Sequence, residues 1–159
     1  MARAKGILVP LVILVTCTAC ATNHQYARFD PGRDILPLDV FYVEIPIQDR
    51  GNLGQLIVDN LTARGVLATA GPEDSVPGKA TILLTYEGRW SWDITNFLIE
   101  MSITLRNPST REAFAIGSSY HTSMTRLNPV EMIDEIISNL IEADKKPDGL
   151  VEIYESGAL

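Results

Sequence analysis

The segment TILLTYEGRWSWD, residues 81–93, decides the fold of this chain. Its even-numbered positions are mostly apolar and its odd-numbered positions mostly polar or charged. That period of two is typical of a β-strand with one buried face. We therefore predict a long strand from 81 to 93 with one apolar face. The residues of this face are Ile82, Leu84, Tyr86, Gly88, Trp90 and Trp92.

Two more strands are predicted directly after this one. Apolar residues alternate with polar ones from Phe97 to Leu105, and the connection between the two runs is short, which predicts a β-hairpin. The residues 107–110 form a second turn signal, and 111–125 is predicted to be a third long strand in which Gly117 marks a bulge. These three strands would make an antiparallel meander.

Helical periodicity flanks the meander on both sides. From 52 to 64, leucine and isoleucine recur every four residues, and Gly65 stands where a helix C-terminus favours a left-handed residue. Further along, Asn128 is followed by proline at the first helical position and by Glu131 at the third. This pattern predicts a capping box and a helix that continues to Asp144.

The remaining strands complete the predicted fold. Residues 38–47 and 66–69 are rich in β-forming residues and predict a first strand and a short strand. The expected fold is α+β: a mainly antiparallel sheet in the order strand, helix, short strand, three-strand meander, helix, with two helices on one face. We expect one domain over 38–146, followed by a tail or short strand over 147–159.

The N-terminal segment predicts export. Arg3 and Lys5 precede an apolar run over 6–15, which is typical of a signal peptide and too short to cross a bilayer. The residues before Cys20 resemble a bacterial lipobox, which implies cleavage after residue 19 and acylation of Cys20; Cys17 is the alternative. Cleavage by an ordinary signal peptidase, giving a soluble periplasmic protein, remains a second alternative.

The destination and the linker are predicted from the residues after the cysteine. Ala21 follows Cys20, where an aspartate would imply retention at the inner membrane, so the resemblance implies the outer membrane with the domain facing the periplasm. Residues 20–37 lack a sustained period and contain a turn signal at 30–33, which predicts a lipidated, flexible tether.

Charge and cysteine content exclude several classes of function. The chain has 13 Lys and Arg against 20 Asp and Glu, a net charge of −7, and removal of residues 1–19 with their two basic residues makes it −9. Such an acidic protein repels phosphate backbones, so we expect no nucleic acid partner. Acylation would use the cysteine of the mature chain, so we expect neither thiolate metal sites nor a cofactor.

Candidate catalytic residues are few. His121 lies among serines, but a strand places Ser119, His121 and Ser123 on one face like any polar edge, and no G-x-S-x-G motif is present. Asp134 and Glu135 are predicted to belong to a solvated acidic face of the last helix. We therefore expect no catalytic residues, no metal site and no enzyme.

One group of residues exceeds this background as a possible interaction site, namely Arg89, Trp90, Trp92 and Asp93. The two tryptophans share the apolar face of their strand, so core packing is one interpretation. The mixture of aromatic and charged side chains is also typical of interface hot spots. A third interpretation places the tryptophans at a membrane interface.

The sequence resembles a group of small, largely uncharacterised bacterial lipoproteins. The resemblance covers about residues 38–143 and lies in the strand 80–86, the motif W-x-W-D at 90–93, and the strand end and turn at 105–112. The order of elements is also similar to accessory lipoproteins of outer-membrane assembly and secretion. The predicted anchor and tether, the lack of a catalytic motif and a sheet edge that could accept a partner strand lead us to expect a non-enzymatic envelope protein that binds another envelope protein. A periplasmic small-ligand binder or weak hydrolase is the alternative.

Overall fold

The computed structural model describes residues 21–33, 35–36 and 38–157. The predicted signal segment, Cys17 and Cys20 lie outside the described residues. In chain order, the helices and strands of the described residues are β1 (Ala21–Phe29), β2 (Val40–Ile45), α1 (Leu53–Ala63), β3 (Leu67–Pro72), β4 (Ile82–Trp92), β5 (Asn96–Arg106), β6 (Ala113–Tyr120), α2 (Pro129–Asp144) and β7 (Leu150–Gly157). The strands form one sheet in the order β3-β2-β4-β5-β6-β1-β7.

The predicted meander and the predicted helix start are confirmed. Strand β5 pairs antiparallel with both β4 and β6. At the start of α2, the Asn128 side chain accepts a hydrogen bond from the Glu131 backbone at 3.0 Å, and the Asn128 backbone donates to the Glu131 carboxylate at 2.9 Å. The third strand is shorter than predicted and ends at Tyr120, from where residues 121–128 lead into α2.

The prediction of a mainly antiparallel sheet is wrong, because the sheet is mixed. Strand β2 lies between β3 and β4 and is parallel to both. Helix α1 leads the chain back to the end of the sheet where β2 starts. Strand β3 therefore starts at the same end and runs parallel to β2, as in any β-helix-β unit. Hydrophobic periodicity locates strands without giving their direction, and the overall class remains α+β.

The predicted flexible tether is also wrong for residues 21–29. These residues form β1, which lies between β6 and β7 and is antiparallel to both. The alternation was present in the sequence, but half of the buried face is polar: Asn23 and Gln25 are buried together with Ala27 and Phe29. The folded domain therefore extends beyond 38–146 on both sides, and residues 150–157 form a full edge strand.

The strand directions define two ends of the sheet. We call apical the end at which β1 begins and β4, β6 and β7 finish, and basal the opposite end. Both helices contribute buried residues to one core cluster and contact each other. Helix α1 lies against β2 and β3, whereas α2 lies against β1 and β6.

Gly117 marks a close approach rather than a bulge. It pairs in regular register with Ala27 on β1 and Ile103 on β5. A Cβ atom at this position would lie 2.8 Å from Cγ2 of Ile136 and 3.0 Å from Cγ of Leu140. Helix α2 can therefore sit at its observed distance from β6 only if residue 117 has no side chain.

We predict that Gly117→Ala lowers the free energy of unfolding by about 1–3 kcal/mol, because the added methyl group overpacks the contact with α2. Urea denaturation measures the change. Gly78→Ala is the matched control, since a Cβ at Gly78 would meet no atom within 4 Å and Gly78 does not have a positive φ. Equal stability of the two variants would contradict the close packing of α2 on β6.

Candidate functional site

The four predicted interaction residues do not form one site. Arg89 lies on the sheet face away from the helices, where its guanidinium is 2.6 Å from the Glu100 carboxylate of β5. Trp90 points to the other face and is half-buried against the core, with the Arg50 guanidinium 4.8 Å from its ring centroid. Trp90 therefore packs against the core, as one of the interpretations above predicts.

Trp92 and Asp93 lie at the apical tip of the β4–β5 hairpin. Trp92 is 72% exposed, so the core interpretation is wrong for this residue. The Asp93 carboxylate accepts hydrogen bonds from the backbone of the turn and lies 2.9 Å from the guanidinium of Arg126. These backbone and Arg126 interactions hold the pKa of Asp93 below its usual range.

A partly buried polar cluster joins α2 to β1 and β6. The Glu135 carboxylate accepts hydrogen bonds from the Ser119 hydroxyl at 2.7 Å and the Gln25 amide at 3.0 Å, and it lies 2.9 Å from Nε2 of His121. The Gln25 carbonyl accepts in turn from the Asn139 amide at 2.8 Å. We call these five residues the Glu135 cluster. Ser119 and His121 are buried, and the cluster is tied into the core of the domain.

The geometry of the Glu135 cluster differs from that of a hydrolase. In a catalytic triad the nucleophile hydroxyl donates to an imidazole, which removes its proton. Here the Ser119 hydroxyl and His121 Nε2 both bind the same carboxylate oxygen, so the serine proton faces Glu135. The Nδ1 atom of His121 is buried and has no hydrogen-bond partner among the described residues.

The sequence interpretation missed this cluster. It assigned Ser119 and His121 to a polar solvent edge and Glu135 to a solvated helix face, whereas all three meet beneath α2. A usable signal was present in the neighbouring positions: Ala115 and Gly117 share the parity of Ser119 and His121, and such small residues suit a strand face under a helix.

An apolar cavity of about 250 Å³ lies at the basal end between the two helices and the sheet. Its walls come from the last turns of α1 and α2 and from the starts of β2 and β4. Arg64 and Lys145 lie at its polar side, together with Asp144. The apolar part of the lining includes Phe41, Leu61, Leu84, Ile103, Leu105, Val66, Ile137, Leu140 and Ile141.

The two edges of the sheet differ in charge. Strand β7 carries Glu152 and Glu155, whereas β3 has the sequence LATAGP without a charged residue. Leu67 is 64% exposed on β3. Protein edges are usually protected by charged residues or by a covering element. Strand β3 is therefore the less protected of the two edges.

Neither a metal-binding group of side chains nor a membrane-spanning helix is found in the part of the chain that the structure describes. None of its groups of His, Cys, Asp and Glu has three or more members arranged to hold a metal ion. None of its helices has both the length and the apolar character needed to span a bilayer.

We predict that Glu135→Ala lowers the free energy of unfolding by about 2–4 kcal/mol, because it leaves buried Ser119, His121 and Gln25 without their acceptor. Chemical denaturation monitored by circular dichroism measures the loss. Glu142→Ala on the same helix is the matched control, because Glu142 is exposed and its lysine partner is 4.0 Å away. A loss no larger than that of the control would show that the cluster is not structural.

Neither a protein-family model nor a curated protein matches this sequence. Solved structures of similar fold include the PelC dodecamer from Paraburkholderia phytofirmans, with 16% identity over 72% of this chain and 96% of that chain and a TM-score of 0.53. A variant PelC dodecamer from the same organism has 14% identity, coverage of 70% and 96%, and the same TM-score of 0.53. A minor lipoprotein from Acinetobacter baumannii has 17% identity, coverage of 67% and 92%, and a TM-score of 0.35. The chain thus shares its fold with the PelC subunit.

Proposed function

We propose that this chain is a lipid-anchored protein of the bacterial cell envelope that acts by binding another envelope protein, without catalysing a reaction. Cys20 carries the lipid in the outer membrane, and the domain faces the periplasm. The lipobox-like residues before Cys20 and the alanine after it support the anchor and its destination. The resemblance to small lipoproteins points the same way.

The uncharged edge strand β3 is the surface on which the partner is proposed to dock. An exposed strand edge offers unpaired backbone groups to an extended segment of a partner, and the partner's side chains then supply specificity. The six residues from Leu67 to Pro72 present such an edge without a charged side chain. The PelC structures are described as dodecamers. The test below therefore also asks whether the partner is a second copy of this chain.

The Glu135 cluster supports binding over catalysis. Its serine and histidine both bind one partly buried carboxylate, an arrangement that fixes α2 on the sheet. A nucleophile needs access to substrate and a base that accepts its proton. Ser119 lacks this access because it is fully buried, and its hydroxyl donates to a carboxylate, not to an imidazole.

We predict that Thr69→Lys reduces recovery of the partner by about tenfold, a loss of about 1.4 kcal/mol in binding. Thr69 is exposed on β3, and a lysine on an edge strand opposes pairing with a further strand. The measurement is in-cell crosslinking followed by membrane purification and mass spectrometry of the adduct. An adduct of twice the chain mass identifies a second copy as the partner.

Thr62→Lys is the matched control, because Thr62 is also an exposed threonine but lies on α1. The full chain with Cys20→Ala tests the contribution of the anchor. A partner that is recovered equally with Thr69→Lys and with Thr62→Lys would rule out β3 as the docking edge. Reproducible absence of any adduct in membranes would contradict the binding proposal itself.

A second candidate, a small-ligand binder, is favoured by the basal cavity. Its lining is mostly apolar, with Arg64, Lys145 and Asp144 on one side, which suits an apolar molecule with one polar end. An apolar cavity of about 150 Å³ accommodates benzene. The larger volume of about 250 Å³ here suits a short acyl chain.

We predict that octanoate binds the full chain and that Ile141→Trp abolishes binding by filling the cavity that Ile141 lines. Isothermal titration calorimetry measures the affinity. Val130→Trp on the same helix is the control, because Val130 is exposed and does not line the cavity. Equal octanoate affinity of the two variants would eliminate this candidate.

A further inference from the structure

Three exposed apolar side chains lie on two touching loops at the apical end of the sheet. Trp92 is 72% exposed, Ile94 91% and Met124 63%. Trp92 is the last residue of β4 and Ile94 lies in the β4–β5 turn, whereas Met124 lies in the connection from β6 to α2. Arg126 of this connection binds Asp93 of the turn, which brings the two loops together. We call Trp92, Ile94 and Met124 the apical cluster.

The strand register places the start of β1 at the height of this cluster. Through β6, His24 of β1 is level with Glu100 of β5. Both strands run from the apical to the basal end, so Ala21 is level with Phe97. Trp92 pairs with the residue just before Phe97. Strands β1 and β4 are three spacings apart in the sheet, which is about 14 Å.

The position of β1 removes the spacer between the lipid and the domain. Cys20 is joined directly to Ala21, so their Cα atoms are about 3.8 Å apart. A flexible tether would let the domain stand away from the membrane. Because Ala21 already belongs to the sheet, acyl chains on Cys20 hold the apical end of the domain against the bilayer.

We propose that the apical cluster inserts into the bilayer interface beside the acylated Cys20, so that the domain lies on the membrane with its apical end down. This inference rests on the proposed lipid anchor. The indole of Trp92 suits the headgroup region, where one part of the ring is apolar and the N–H is hydrated. Ile94 and Met124 add apolar surface beside it.

The charges at the turn are compatible with a lipid surface. Asp93 carries the carboxylate nearest to the exposed tryptophan in sequence, and it is paired with Arg126 at 2.9 Å. The turn therefore does not present this carboxylate unpaired to anionic headgroups. The pairing also holds the connection that carries Met124 against the turn that carries Ile94.

The test uses tryptophan fluorescence of the full, acylated chain in vesicles of phosphatidylethanolamine with less phosphatidylglycerol. The chain has two tryptophans, so Trp90→Phe leaves Trp92 as the sole reporter. We expect its emission to shift to shorter wavelength on reconstitution and to be quenched by lipids brominated on their acyl chains. Trp92→Phe is the matched control: it leaves half-buried Trp90, whose emission should be unaffected by the brominated lipids.

Each other outcome overturns the proposal in a distinguishable way. If the chain floats with the vesicles but Trp92 is not quenched, the domain stands off the membrane, while the lipid anchor remains supported. If mass spectrometry finds no acyl group and the wild-type chain does not float, the anchor and the insertion fail together. If the emission of Trp92 shifts with protein concentration in detergent and is insensitive to brominated lipid, the apical cluster binds a second copy instead.

A measurement on the unsubstituted chain avoids dependence on the folding of the variants. Vesicles that contain a photo-reactive phospholipid should label peptides that include 92–94 and 124. Exposed apolar residues at the basal end, such as Leu67 at 64% exposure, should stay unlabelled and serve as the internal control. Equal labelling of both ends would overturn the proposed orientation.

Discussion

The partly buried carboxylate of Glu135 is the constraint on which the arrangement of this domain depends. A carboxylate that loses part of its contact with water needs hydrogen-bond donors, and Glu135 finds them on two strands that are far apart in the sequence. Gln25 comes from β1, and Ser119 and His121 come from β6 and the residue after it. This requirement fixes α2 above both strands. The missing side chain of Gly117 lets the helix come close enough for those bonds to form.

The basal end is organised differently, because polar contacts there hold two helices over an unfilled space. Arg64, the C-cap residue of α1, donates to the Asp134 carboxylate and the Ser138 hydroxyl of α2. Hydrogen bonds from Asn60 and Arg64 hold the pKa of Asp134 below its usual range, so the contact is strongest when that carboxylate is ionised. The cavity lies beyond this contact, toward the last turns of the helices. The two helices are thus joined at their surface while the layer beneath them is incompletely packed.

The sequence was sufficient where burial followed simple hydrophobic alternation. The strands β4 and β5 and both helices were predicted within a few residues, because apolar side chains supply their buried faces. It was insufficient for β1, whose buried positions include Asn23 and Gln25, since polar residues become core residues only when a distant partner satisfies them. The parallel pairing of β2 was not predicted for another reason. The hydrophobic period of two is the same whether a strand runs parallel or antiparallel to its neighbour. Trp92 belongs to the alternating pattern of β4, but the pattern continues beyond the part of the strand that the helices cover, so the tryptophan is exposed.

The insertion of β1 between β6 and β7 determines when the native sheet can close. Strand β1 is the first of the described strands along the chain, yet its only partners within the sheet are the last two. When a chain is made from its N-terminus onward, β1 appears long before β6 and β7, the strands that pair with its backbone groups. Contacts between residues so far apart in the sequence form slowly. The half of the sheet that holds the Glu135 cluster must wait for the C-terminal residues. Topology thus delays completion of the fold until nearly the whole chain has emerged.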